Sequence, residues 1–267
     1  MRRALILDLD YTLLHLEALP GAVEVPGRTR SAYLSAATAE ALADLSDGYE
    51  VFLATARSWH GTEPVVAGLA RHDVQVSGVV LEDGALLGLP GEHRPLEPGR
   101  SWDLLRAKLE AAAEELPPFS WQEDFEACLV ARSMTPTEAE VLLTGLRSVA
   151  RELDPTLRLF RDGRKVYVTG AKSDKWTALV ALLGDRAAVA VGVGDGENDA
   201  CWLSRVASPC TFAGAAPEVV ALVGKAGGLV ARDWGHGGIG DLLRRIPSLA
   251  APGCGVAAEG RGREANL

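Results

Sequence analysis

The sequence predicts an α/β protein in two parts, a core built on a parallel sheet and a smaller α+β insert carried within it. Three observations lead there. Short unbroken apolar runs end in polar clusters near Asp8, Thr55 and Asp195. Stretches with apolar residues at three- and four-residue steps lie between those runs. The middle of the chain abandons this alternation for a pattern of paired strands and amphipathic helices. At 267 residues the chain is long for one minimal domain and suits a core plus an insert.

The first run, residues 4–9, is apolar on both faces and acidic at its end, the signature of a buried parallel strand. Residues 50–54 lead in the same way into Thr55-Ala56-Arg57, and 187–193 lead into Gly194-Asp195-Gly196-Glu197-Asn198-Asp199. Helical spacing occurs at 35–45, 63–71, 175–183 and 200–205. In open sheets of this kind the site lies beyond the carboxyl ends of the strands, where all three polar clusters fall. After Val79-Val80-Leu81 and the turn Glu82-Asp83-Gly84, the Gly- and Pro-rich stretch 88–99 reads as a crossing between units. The insert then offers a helix at 102–116, a strand at 128–134, a helix at 137–153, and strands at 157–160 and 165–169. Arg161-Asp162-Gly163-Arg164 joins that last pair as a hairpin turn. The expected division is therefore 1–89 and 166–248 for the core, 90–165 for the insert, and 249–267 for a loosely held Gly/Ala-rich tail.

Composition is that of a globular protein, with 48% hydrophobic and 24% charged residues and a mean hydropathy of +0.08. The net charge of -9 and a pI near 5.1 argue against a nucleic-acid surface, which needs a basic stripe to displace counterions. No apolar run approaches the roughly 18 residues of a membrane span, and Asp8 cuts the opening run too short for a signal peptide. The expected location is cytoplasmic. Cys128, Cys201, Cys210 and Cys254 lack metal-ligand spacing and read as reduced structural thiols.

Asp8 and Asp10 are two apart at a strand end, so both carboxylates can point to one side. Asp195 and Asp199 add two more acids if their strand neighbours the first. Clustered carboxylates stay ionised only beside a cation, and an all-oxygen donor set indicates magnesium. Asp8 and Asp10 alone would equally read as acids capping a turn. The glycines around Asp195 suggest a nucleotide loop but do not complete G-x-G-x-x-G.

Taken in order, Asp8-Leu9-Asp10-Tyr11-Thr12-Leu13-Leu14, then Thr55-Ala56-Arg57, then Lys175, then Gly194-Asp195-Gly196-Glu197-Asn198-Asp199 resemble the four motifs of the haloacid dehalogenase superfamily of phosphohydrolases. Ser173-Asp174-Lys175-Trp176-Thr177-Ala178-Leu179 and Leu81-Glu82-Asp83-Gly84-Ala85 resemble segments of a narrower group, the Cof-type sugar phosphatases and the sucrose-phosphate and mannosyl-phosphoglycerate phosphatases. The resemblance implies a Rossmann-like core with an α+β cap as the insert. It also implies magnesium-dependent hydrolysis of a small organic phosphate monoester, such as a sugar phosphate or phosphorylated sugar acid, through an aspartyl-phosphate. Asp8 would be the nucleophile and Asp10 the acid and base. Thr55, Lys175 and Asn198 would bind phosphoryl oxygens. Magnesium would be held by Asp8, the carbonyl of Asp10 and Asp195, with Asp199 a weaker ligand candidate, held instead to water or to Lys175.

Tyr11, Ala56 and Trp176 stand where the family often has glycine, and Asp83 where it has asparagine; none of these changes removes a catalytic group. Tyr11 and Trp176 narrow the site or simply pack. His15, His60, His72, His93 and His236 are scattered. Arg57 reads as a supporting salt bridge, and Arg132, Arg161, Arg164 and Lys165 are either solvated charges or ligands for a second anionic group. The stretch 234–240 reads as a flexible loop. A phosphotransferase or mutase would share every one of these residues. A phospho-aspartate signalling or binding protein uses similar groups, but places its acceptor differently and lacks a second acid two residues on. The expected partner is a small phosphorylated metabolite, with no nucleic acid or membrane, and the chain a monomer or homodimer.

Overall fold

The computed structural model describes residues 2–27, 30–111 and 116–249. Its fold is the expected α/β architecture. The strands β1 (Arg3–Leu7), β4 (Tyr49–Ala54), β5 (Val76–Leu81), β12 (Val191–Val193), β13 (Ser208–Phe212) and β14 (Leu229–Ala231) pair in parallel, with β1 between β12 and β4. The earlier hairpin of β2 (Val23–Val25) and β3 (Ala32–Leu34) stands apart from this sheet.

The central strand is apolar on both faces because both are covered. Leu5 and Leu7 join a core with α1 (Ala36–Ala43), α2 (Trp59–Ala70) and α8 (Gly235–Arg245). Ala4 and Ile6 join the opposite core with α5 (Lys175–Leu183), α6 (Ala200–Leu203) and α7 (Pro217–Lys225). Burying such side chains contributes about 1.5–3 kcal/mol each, which fixes β1 at the centre and its carboxyl end at a point where chain crosses to both sides.

The stretch 88–99 differs from the expectation of a simple crossing. β6 (Leu86–Leu89) and β7 (Glu92–Pro95) form a hairpin that extends the core sheet antiparallel from β5. Gly-rich composition marked a tight turn inside a sheet, not a departure from it. The insert's sheet contains β8 (Phe119–Trp121), β9 (Leu129–Ser133), β10 (Arg158–Asp162) and β11 (Lys165–Thr169), all antiparallel. The boundary expected at 89/90 thus falls inside the β6–β7 hairpin, and that at 165/166 falls within β11.

One face of this second sheet carries Leu129, Ala131, Leu159, Val166 and Val168 against α3 (Trp102–Ala111) and α4 (Pro136–Leu153). α4 begins where Thr135 and Glu138 cap each other's backbone N–H and Pro136 opens the first turn. The other face, with Tyr167, Phe160, Lys165 and Arg132, is turned away from those helices. The stretch 234–240 is also not a loop: it is the start of α8, whose buried side includes Gly238, Ile239 and Gly240. Gly238 is needed because a Cβ there would lie 2.3 Å from the Asp233 carbonyl in the turn that enters the helix. The expected tail beyond Leu249, with Cys254, and residues 112–115 of the expected helix at 102–116 lie outside the described residues.

Candidate active site

The carboxyl ends of β1, β4 and β12 converge on a cleft of about 1000 Å³ between the core and the insert's sheet. Asp8 follows β1, Thr55 follows β4, and Asp195 follows β12, so adjacent parallel strands deliver them to one place. Lys175 arrives from below as the first residue of α5. Asp174 caps that helix by accepting the Thr177 N–H at 2.9 Å.

Lys175 is fully buried and its Nζ donates to Asp8 Oδ1 and Asp199 Oδ1, both at 2.7 Å. Burial works against its charge, but Asp199, Asp8 and Asp83 more than offset this and hold its pKa well above the ordinary lysine value. Burial, with the charges of Asp199 and Asp195, pushes the Asp8 carboxyl well up despite Lys175. Asp195 is pushed up to about 7, first by burial and then by Asp199.

Asp8, Asp195 and Asp199 present carboxylate oxygens within 4.8 Å of one another, a cluster that can hold a cation. Hydrogen bonding separates them. Asp199 Oδ2 accepts the N–H groups of Asp195 and Gly196 at 3.1 and 3.0 Å, and its Oδ1 accepts Trp202 Nε1 at 2.9 Å besides Lys175. Its lone pairs are taken, and Gly194 is needed because a Cβ there would meet the Asp199 side chain at 2.7 Å. Asp8 and Asp195 each use one oxygen, toward Lys175 and toward Thr12 Oγ1 at 2.9 Å. They are the better pair of ligands, and their hard oxygen donors suit a hard divalent cation, magnesium among them.

The Asp10 carboxylate is not in that cluster. Arg57 holds it through two hydrogen bonds of 2.6 and 2.8 Å and is itself tied to the Gly61 carbonyl. Burial opposes, but the Arg57 bonds and charge prevail and lower the Asp10 pKa. Thr55, almost fully buried, accepts the Arg57 N–H at 3.2 Å and lines the cleft with Asn198.

Asn198 also reaches Asp83 Oδ1 at 3.4 Å, and Asp83 Oδ2 accepts from Arg158 of β10 at 3.1 Å. Arg158 further donates to the Ser173 carbonyl, two residues before Lys175. Glu82 accepts the N–H groups of Glu126 and Ala127 at 2.8 and 2.9 Å. These residues stand in a strained turn: Glu82, Asp83 and Gly84 have φ of 53°, 54° and 96°. Only glycine fits the third position, since a Cβ would lie 2.3 Å from the Asp174 backbone. Sequence reasoning noted this turn but not that its acids grip the insert. The partly exposed, oppositely charged Arg158 had no local signal.

Arg132, Arg164 and Lys165 line the cleft, whereas Arg161 turns outward to Glu140. Tyr11 lies at the cleft with φ 59°, stacked on Trp234 at 5.9 Å and accepting from Arg30 at 3.1 Å. Trp176 packs away from the cleft under Arg205. His60 lines the cleft, His93 lies beside Trp59 and Glu126, and His15 and His236 form a buried ring pair at 4.9 Å. Burial and then His236 lower the His15 pKa to about 4, so it is neutral.

No helix among the described residues is long and apolar enough to cross a membrane. The sequence matches no protein-family model and no curated protein. Solved structures do match. A haloacid dehalogenase-like hydrolase from Bacteroides thetaiotaomicron superposes with a TM-score of 0.68 at 16% identity, covering 92% of this chain and 100% of that one. A subclass IIB sugar phosphatase of the same superfamily gives 0.65 at 17%, covering 92% and 100%. A trehalose-6-phosphate phosphatase related protein gives 0.61 at 14%, covering 92% and 97%. The chain has the haloacid dehalogenase fold.

Proposed function

We propose, on this fold and on the residues it gathers, that the chain is a magnesium-dependent phosphatase acting on a small organic phosphate monoester through an aspartyl-phosphate on Asp8. The carrying observation is Lys175, a buried lysine bridging Asp8 and Asp199 at the mouth of β1 with Asp195 alongside. A carboxylate oriented by a buried cation and set beside a cation site is arranged for nucleophilic attack on phosphorus.

Asp8 Oδ1 is oriented by Lys175 and keeps a lone pair for the cation, leaving Oδ2 to attack. Asp8 and Asp195 would hold magnesium, which when bound would neutralise charge on the phosphoryl group. Thr55 and Asn198 present a hydroxyl and an amide to the phosphoryl oxygens, and Lys175 adds positive charge beneath them. Freed of Arg57, whose charge keeps it ionised, Asp10 would take up a proton from solvent, give it to the leaving oxygen and recover one from the attacking water. To do so it must exchange its Arg57 partner for the substrate, which makes Arg57 the group that holds Asp10 in place until an ester arrives. The cleft has room for a sugar phosphate or phosphorylated sugar acid, and Arg132, Arg164 and Lys165 on its wall offer positive charge to one.

The test is phosphate release from p-nitrophenyl phosphate with magnesium. Asp8→Asn keeps the shape of the side chain and removes its nucleophilic charge, so turnover should fall by at least about a thousandfold. Wild-type activity should vanish in excess chelator and return with magnesium. Turnover in the Asp8→Asn protein close to wild type, or activity indifferent to chelator, overturns the reading.

A further inference from the structure

We propose that Lys165 selects the substrate by binding a second anionic group, a carboxylate or a further phosphate, carried on the leaving part of the ester. This rests on the phosphatase reading for its meaning but not for its test. The starting observation is a register. Lys165 of β11 sits directly opposite Arg132 of β9 and opposite Asp162 of β10, so the three side chains share one rung and one face of the insert's sheet. Like charges placed directly opposite in a sheet repel and destabilise it. Arg164, next in sequence, brings a third positive charge to the same wall of the cleft.

Lys165 is distinct among these cations. Arg164 donates to the Met134 carbonyl at 3.2 Å, and Arg57 is taken by Asp10. Lys165 is half-buried, lines the cleft, and has no hydrogen-bond or ion-pair partner for its ammonium among the described residues. Burial lowers its pKa, and the charges of Asp162 and then Asp10 act the other way without forming an ion pair with it. A half-buried ammonium with no partner is costly to keep unless something binds there.

Its position says what. The next rung on the same face is Phe160 stacked flat on Tyr167, with ring centres 4.9 Å apart, which blocks movement of the Lys165 chain toward the interior. Lys165 lines the same cleft as Asp10 and Arg57 and lies within reach of both their charges, on the side where the proton reaches the leaving oxygen. A group met there belongs to the leaving part of the substrate, not to the phosphoryl group held beside Lys175. A compact ammonium with three donors accepts a carboxylate or phosphate without the fork geometry of arginine, so the chemistry shared by both is an anion of one or two charges.

The test measures binding by calorimetry in the Asp8→Asn protein with magnesium, so that no turnover is needed. Pairs matched in carbon skeleton are used: glycerol phosphate against phosphoglycerate, and glucose phosphate against phosphogluconate and against hexose bisphosphate. The anionic member of at least one pair should bind tighter by roughly tenfold to a hundredfold, the usual worth of a charge-assisted contact. Lys165→Met, close in volume, should reduce that ratio to near one, and Lys165→Arg should retain much of it. Preference for phosphogluconate identifies a carboxylate as the second group, and preference for hexose bisphosphate identifies a phosphate. Equal binding within every pair, or a preference that survives Lys165→Met, overturns the proposal whether or not the protein is a phosphatase. Urea unfolding of each variant shows that a lost ratio is not lost structure. Failure of the phosphatase reading is seen separately, in the p-nitrophenyl phosphate assay.

Discussion

Lys175 is buried without trace of solvent, yet it keeps its charge because two carboxylates stand 2.7 Å from its nitrogen. Such a group stabilises only as part of a set: removing it leaves Asp8 and Asp199 buried together with nothing to offset them. Lys175→Met should therefore lower the unfolding free energy by about 3–5 kcal/mol as well as abolish turnover. Urea unfolding measures the first effect, and added magnesium should recover part of it by binding the folded form. A variant as stable as wild type would mean that Asp8 is neutral in the folded protein. At the same scale, Tyr11 pays for its left-handed backbone with its stack on Trp234 and its contact with Arg30. The sequence identified Tyr11 as unusual, but its partners lie far along the chain.

Among the elements, the turn before β6 does more than reverse the chain. Glu82 and Asp83 project from it in opposite roles, one accepting two backbone N–H groups of the insert and the other pairing with Arg158. Burial is the first cause that raises the Glu82 pKa, from an ordinary 4.5 to about 7, with the two N–H bonds working the other way. The sign follows from linkage. A carboxyl with a raised pKa in the folded state favours folding while protonated, and that contribution is lost as pH rises from about 4.5 through about 7. Glu82→Gln cannot ionise. Its stability relative to wild type should climb with pH, by as much as about 3 kcal/mol between the two ends of that window. Denaturant melts at pH 4 to 8 test this, and a constant difference would show that Glu82 does not titrate there. The Glu-Asp-Gly sequence revealed the turn; only packing against residues 126 and 127 revealed the acid's burden.

For the whole molecule, the proposed function divides chemistry and selection between two sheets. Asp8, Asp10, Thr55, Lys175, Asp195 and Asn198 all belong to the core. Lys165, Arg132 and Arg164 belong to the second sheet or its hairpin turn. The two are held by Glu82, by Arg158 and by the Ser58 hydroxyl donating to Asp124 at 2.7 Å. Replacing residues 98–171 by a short linker, with Glu82→Gln and Asp83→Asn to avoid stranded charges, should leave a core that still cleaves an activated aryl phosphate. It should lose its ranking of natural esters, because the phosphoryl group and metal are common to all of them. Parallel assays of the excised and intact proteins decide it; a folded core that ranks esters as before would place selection elsewhere.

The sequence by itself determined the α/β class, the strand that carries Asp8, the helix that begins at Lys175, and the hairpin after β10. These follow from local rules: apolar runs, three- and four-residue spacing and an Asp-Gly turn act over a few residues. It misjudged the stretch 88–99 and the start of α8, because glycine permits a turn, a bulge or close helix packing, and composition cannot choose among them. Only the tertiary structure decided that Asp199 is spent on Lys175, Trp202 and two N–H groups, that Arg57 holds Asp10, that Arg158 reaches Asp83, and that Lys165 is left facing the cleft. The Lys175–Asp199, Arg57–Asp10 and Arg158–Asp83 contacts join groups 24, 47 and 75 residues apart. Charge type fixes which groups can pair, but distance and burial fix which ones do.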